Sequence, residues 1–349
     1  MYKKLLSIAI ALAMLMSFAA CGAKEEAPAE TPKTEAPATT EAPKTEAPAT
    51  AEAPVTAEAP AEEKKEEEPW VWDGEKYDDI YKNLGKADIT VTDPTGVLKS
   101  VLDKGVLVIG TSPDYPAAEF VDLMSGDIKG CEILLAKYIA NSLGVDLKIE
   151  AMDFGTILAA ADTGKVDLAI SGYGYKADRA EQYELSHGYQ ATSSASHHTI
   201  VVPADKLDQY NSLADFNGKK IDAQANSLQQ MYVEDQIENA DLALVSSLDQ
   251  AIMELIAGKV DAVALDSTTA RNYAEQSDGK IVSVFVEKGI EFDLSLYSDY
   301  AGNVCAVKKG ETQFMDVINE IIDDVIENGY YTTWYYAACD AAGIVPGDD

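Results

Sequence analysis

The sequence predicts an α/β fold in two similarly built lobes, each a mainly parallel sheet flanked by helices. Two observations carry that expectation. Short β-branched runs alternate with segments of helical periodicity, the pattern of strands joined by helical crossovers. In addition, ILAAADTGKVDLAISG (157–172) is echoed by AIMELIAGKVDAVALD (251–266), with helix, glycine stop, Lys-Val-Asp and buried strand in the same order. GKVD alone is also a serviceable helix-to-strand connector; the whole unit used twice points to two lobes of one design.

At the N-terminus, Lys3 and Lys4 precede an apolar run from Leu5 to Ala20, short of the roughly 20 residues a bilayer span needs. This predicts an export signal over residues 1–20. Ala19 and Ala20 before Cys21, with Gly22 after it, resemble a bacterial lipobox, although Phe18 stands where Leu is usual. That resemblance implies acylation of Cys21 and a lipid anchor on the extracytoplasmic face of the cell membrane; an ordinary signal cleaved nearby is the alternative. Residues 21–69 repeat Glu-Ala-Pro, as in TEAPKTEAPAT. Proline fixes φ and the acids repel one another, so this stretch predicts an extended tether without a core.

Composition narrows the partners. The 349 residues include 27 basic and 60 acidic side chains, a formal charge of −33, which argues against nucleic acid or an anionic bilayer as the main partner. The four cysteines, Cys21, Cys131, Cys305 and Cys339, show no CxxC spacing, and neither a metal nor a cofactor is implied. Pairing of Cys305 with Cys339 is open on sequence grounds, and it leaves Cys131 free.

Residues 70–96 form a lead-in, with Trp70 and Trp72 expected on the domain surface. VLKSVLDK then predicts a helix and VLVIG (106–110) a strand. CEILLAKYIANSLG predicts a helix, with Ile133, Ala136, Ala140 and Leu143 at helical spacing and Gly144 as its stop. VDLKIEA alternates like a strand, FGTILAAADTG is helical, and VDLAI (166–170) is a buried strand. GYYTTWYYAAC predicts a closing amphipathic helix packed on the first lobe. His197 and His198 are neighbours on a strand, point to opposite faces and cannot chelate one ion together; both are expected on the surface near a hinge.

In open α/β sheets, ligands sit beyond the carboxyl ends of the strands. The first echoed strand runs into Ser171, Gly172 and the turn leading to Arg179; the second runs into Asp266. If the lobes face each other, a cation and an anion line opposite walls of one crevice, which suits a zwitterion. Asp266 also stands where it can cap the helix beginning STTARNY, and the two roles can coexist. A phosphate loop is excluded, because GYGYKA lacks the third glycine and no GxxxxGK[ST] occurs. With no GxSxG elbow or nucleophile–base pair in view, binding is expected rather than catalysis.

The order LDKGVLVIGTSPDYPAAEF, GCEILLAKYIANSLG, MDFGTILAAADTGKVDLAISG, YKADRAEQYELSHGY, SLADFNGKKI, GKVDAVALD and ENGYYTTWYY resembles the extracellular solute-binding proteins of ABC importers, family 3, the polar amino acid-binding group. The likeness covers roughly residues 97–340. It implies a two-lobed, type II periplasmic-binding-protein-like fold, with lobe 1 over 97–195 and 300–349, lobe 2 over 196–299, and a hinge between them. It further implies that Arg179 grips the ligand carboxylate and Asp266 its ammonium. Tyr115 and Phe154 would flank the side chain, Ser171 and Gly172 would supply contacts beside Arg179, and Ser227, Leu228 and Gln229 would form the second lobe's loop. Gly174 stands where the family has a hydroxyl, Ser112 where several members have an acid, and Asn226 where a glycine is usual. Cys131 and Leu134 likewise break the family signature. Glu119 and Gln224 suit a cationic or polar ligand. The implied function is a monomeric, lipid-anchored receptor that closes on an amino acid-like solute and delivers it to an ABC permease. A dehydratase-like enzyme on the same fold and a ligand-sensing surface module are the alternatives.

Overall fold

The apolar run VLVIGT forms strand β1 (Val106–Thr111), from which the first sheet is built outward. Strand β2 (Asp146–Ala151) pairs with it in parallel on one side and β3 (Leu168–Ala169) on the other. The same sheet holds β4 (Tyr183–Leu185). The second sheet comprises β5 (His198–Pro203), β6 (Lys220–Gln224), β7 (Asp241–Val245), β8 (Ala262–Asp266) and β9 (Ile281–Ser283). The chain then returns to the first sheet with β10 (Ala306–Lys308). The computed structural model describes residues 70–190, 197–297 and 302–347, all within the unit Glu66–Asp349; the expected signal, tether and Cys21 lie outside them.

The described residues also form a small antiparallel sheet of three short strands, Asp114–Tyr115, Glu119–Val121 and Ile128–Lys129, whereas the two five-stranded sheets share one plan. Their strand orders are β2-β1-β3-β10-β4 and β7-β6-β8-β5-β9. In each, four strands point one way and one runs against them, so the expectation of mainly parallel sheets holds. The reversed strands are β10 and β5, each the first that the chain forms after crossing from the other sheet. The echo between residues 157–172 and 251–266 corresponds to the third strand of each sheet, β3 and β8, with its preceding helix.

Apolar clusters pack on both faces of each sheet, which is why central strands such as VLVIGT and AVALD read as nearly continuous apolar runs. Leu107 and Ile109 of β1 pack with the helices Cys131–Leu143, Thr312–Glu327 and Tyr330–Ala342, whereas Val108 faces the cluster of helix Phe154–Asp162. Ile200 and Val202 of β5 join one cluster of the second sheet and Val201 the other, as the two-residue period requires. Gly144 ends its helix in the left-handed conformation (φ 70°), as its position in the sequence predicts.

The lead-in forms a helix, Tyr77–Asn83, held by Trp70 and Trp72, whose rings lie 6.3 and 5.6 Å from that of Tyr336 on the C-terminal helix. Cys131, Cys305 and Cys339 are buried free thiols, so no bridge joins Cys305 to Cys339. His198 departs from expectation. It is buried, because β5 lies between β8 and β9 and turns this side chain inward, while His197 stays partly exposed beside Glu291. No helix among the described residues is long and apolar enough to cross a membrane.

Candidate functional site

Residues just past the ends of β3 and β8 line one cavity of about 70 Å³. A single water needs roughly 10–15 Å³ by the same measure, so the space suits a small solute. Tyr115, on the strand Asp114–Tyr115 of a separate three-stranded antiparallel sheet, joins Phe154, Ser171, Gly172, Gly174 and Arg179 on one wall. The facing wall carries Gln224, Ser227, Leu228, Gln229 and Asp266. Ser112 is not among the lining residues; it is buried, and its hydroxyl donates to Asp114 at 2.8 Å.

Arg179 sits in the short helix Ala177–Gln182 and is only 5% exposed. Its guanidinium donates to the carbonyl of Gly174 and, at 3.0 Å, to that of Asn226, and lies 4.8 Å from the centre of the Tyr173 ring. No carboxylate among the described residues lies within ion-pairing distance of it. Burial lowers its pKa, yet a guanidinium keeps its charge at any physiological pH. A buried cation held only by neutral groups favours an anionic guest.

Asp266 ends β8 and caps the helix Ser267–Gln276, accepting from the Thr269 peptide N–H at 2.9 Å. The Tyr115 hydroxyl also bonds to it, and burial raises its pKa. Capping and cavity lining therefore coexist at this residue. The Tyr115 ring in turn depends on Gly172. That glycine has φ 57°, and a Cβ there would meet the ring at 2.9 Å.

Ser227 caps the helix Leu228–Gln236 through its hydroxyl, which brings a helix N-terminus and its partial positive charge to the cavity wall. Asn226, just before it, adopts φ 66°, the left-handed region that asparagine tolerates better than most residues. Its side chain donates to the Gly155 carbonyl at 3.0 Å while its own carbonyl takes the Arg179 bond. A second set of bonds reaches second-sheet elements from Asp114, on the strand Asp114–Tyr115, which accepts from Gln224 Nε2 at 2.9 Å and from the Leu248 peptide N–H at 2.8 Å. The cavity is thus closed by hydrogen bonds on two sides.

Several lining residues were not singled out from sequence: Asp114, His198, Leu248, Leu265 and Asn303. His198 pairs with Asp266 across the ladder and contacts Gln229 at 2.9 Å. Burial lowers its pKa to about 4, which leaves it neutral near pH 7. Glu119, expected to suit a polar or cationic ligand, does line the cavity. Its Oε1 accepts from the Ser171 hydroxyl at 2.8 Å, its Oε2 has no partner among the described residues, and burial with the nearby Glu132 pushes its pKa well up. Position 112 was the visible candidate in SPDYP, but the carboxylate at position 114 is the one that reaches the second sheet.

Residues 107–337 match the bacterial extracellular solute-binding proteins, family 3. The arginine-binding extracellular protein ArtP of Bacillus subtilis is 26% identical over 231 residues, 65% of this chain and 83% of that protein. The amino acid ABC transporter substrate-binding protein AbpA of Streptococcus pneumoniae, solved with L-arginine bound, superposes with a TM-score of 0.62 at 27% identity, covering 70% of this chain and 98% of that one. An ancestral amino acid-binding protein, AncCDT-1, a precursor of cyclohexadienyl dehydratase, shares the fold at a TM-score of 0.59 and 24% identity, over 69% of this chain and 98% of its own. Paired sheets of one strand order, a cavity between their strand ends and a match spanning most of the folded residues converge: the chain belongs to the bacterial extracellular solute-binding proteins, family 3.

Proposed function

We propose that the cavity holds a free amino acid or similar small zwitterion, with Arg179 on its carboxylate and Asp266 on its ammonium. The observation that carries this reading is a buried guanidinium with no carboxylate in ion-pairing reach among the described residues, in a cavity that Asp266 lines from the other sheet. Tyr115 and Phe154 cover the ligand's side chain, and the Ser227–Gln229 helix start adds N–H dipoles beside the carboxylate. Exclusion of water on closure strengthens each contact over its exposed worth of about 0–1 kcal/mol.

In this reading the protein is a receptor: lobe closure delivers the solute to an ABC permease, and the molecule leaves unchanged. A monomeric head, tethered through acylated Cys21, places the cavity outside the membrane. Three carboxyl groups, Asp114, Glu119 and Asp266, line the cavity against one guanidinium, which supports ligands with extra cationic or donor groups. L-arginine, the ligand in the AbpA structure, is therefore the first probe. A thermal-shift screen over L-arginine, the other protein amino acids and cystine tests the reading. A ligand at ~100 Kd stabilises by about 2.7 kcal/mol. Recovery of the bound molecule unaltered supports capture, and its conversion to product favours the enzyme alternative.

A further inference from the structure

Glu132 is a carboxylate in apolar surroundings. It stands in the first turn of the helix Cys131–Leu143 among buried apolar neighbours and is itself 0% exposed. A carboxyl group is kept at such a position only when its oxygens are satisfied. Its Oε2 accepts from the Tyr189 hydroxyl at 2.7 Å, and its Oε1 from the Tyr331 hydroxyl at 3.0 Å and from Asn303 Nδ2 at 3.4 Å. The Gly172 peptide N–H bonds to it as well.

Two of those donors lie where the chain passes between the sheets. Tyr189 follows β4 on the way out, and Asn303 precedes β10 on the way back. The two residues also pair with each other through reciprocal backbone bonds of 2.9 Å. Asn303 and Gly172 both line the cavity. One carboxyl group therefore gathers the outgoing strand, the returning strand, the cavity turn and the C-terminal helix.

We propose that Glu132 is the positioning residue of the hinge, tying both crossing strands and the cavity turn to the helix Cys131–Leu143. It touches no ligand and acts through Tyr189, Asn303 and Gly172. The inference rests on the reading of the protein as a receptor whose lobes move, but it concerns the unliganded chain.

Among the described residues, the titratable groups facing Glu132 are Glu119 from the strand Glu119–Val121, Cys131 on its own helix, Tyr189 and Cys305 along the crossings, and Tyr331 from the C-terminal helix. All are acids, so none neutralises it. Burial pushes its pKa up to about 7, against the pull of the hydroxyl donors. A carboxyl raised in this way stabilises the buried arrangement fully below its free value of about 4.5, and that contribution is lost as pH rises through about 7. The tie therefore loosens toward alkaline pH, where water entering the hinge relieves the buried charge.

Hydrogen–deuterium exchange of the unliganded full chain, followed at the Tyr189 and Asn303 amides from pH 5.5 to 8.5 and divided by the chemical exchange rate, tests this. The native protein should lose protection several-fold with a midpoint near pH 7, and Glu132→Gln should show no such transition. Tyr189→Phe provides an independent arm if Glu132→Gln does not fold. It removes a donor that favours the charged form, so its midpoint should move to higher pH. A transition that persists in Glu132→Gln, an unmoved midpoint in Tyr189→Phe, or a flat profile in the native protein would overturn the assignment. Because no ligand is added, such a result leaves the capture of a zwitterion untouched, and a failed ligand screen leaves this inference standing.

Discussion

The Arg179 guanidinium donates to the carbonyl of Asn226 at 3.0 Å, joining the wall built from the first sheet to the loop that opens the second sheet's helix Leu228–Gln236. The bond leaves the positive charge without a carboxylate partner among the described residues, so in the proposed site an anionic guest would meet a cation already aimed and dehydrated.

Replacing Arg179 by Ala should weaken amino acid binding by at least about 100-fold, since a charge-assisted bidentate contact and its closure bond are both lost. The unliganded variant should unfold at or above the native temperature, because a buried charge lacking a carboxylate partner is removed. Arg179→Lys should fall between the two, keeping charge without the planar fork. Thermal shift with and without ligand measures both effects; an unaltered ligand response in Arg179→Ala would take this residue out of the site.

At Asn226, side-chain chemistry and backbone conformation separate cleanly. Asn226→Gly keeps φ 66° at no steric cost but loses the bond to Gly155, so ligand should dissociate roughly 3- to 10-fold faster, the worth of about one hydrogen bond. Asn226→Ala loses the same bond and adds left-handed strain of about 1–2 kcal/mol, visible as lower stability in denaturant melts. Equal stability of the two variants would contradict the assignment of strain to this position.

Gly172→Ala tests the support of the aromatic wall. The new Cβ meets the Tyr115 ring at 2.9 Å in a backbone region that disfavours a side chain, so the ring must move away from Asp266. Binding should weaken about 10-fold or more, with a stability loss of about 1–2 kcal/mol. Stopped-flow association and dissociation rates show whether the loss lies in residence time.

His198 sets an acid limit. Its pKa in the folded protein, about 4, lies below the ordinary value of 6.5, so the unfolded chain binds the extra proton more readily. Stability from the neutral imidazole is present above about pH 6.5 and is lost as pH falls toward 4, by up to on the order of 3 kcal/mol. His198→Gln should flatten that acid-side decline in the pH dependence of the melting temperature, while an unchanged decline places its cause elsewhere.

Arg179 and Asp266 were legible in the sequence because each follows a copy of the same helix–strand unit, and the rule for strand ends places both at one crevice. Phe154 and Tyr115 needed the family resemblance, since an isolated aromatic reads more readily as core than as site. His198 and Asn303 were hidden for a physical reason. Each reaches the cavity through a strand pairing made after a chain crossing, Asp266 with His198 and Gly174 with Asn303, and no local periodicity encodes such a partner. Asp114 was overlooked in favour of Ser112, because only the docked position of the Leu248 helix shows which of the two side chains spans the cleft.

In the proposed site, opposed charges on facing walls read both ends of a zwitterion. Calorimetric titration of whichever amino acid binds, alongside its N-acetyl and carboxamide derivatives, tests it most directly. The free amino acid should bind with a Kd near or below micromolar, about −8 kcal/mol or better, and blocking either end should weaken binding by at least about 100-fold. Binding that is indifferent to either modification would contradict it.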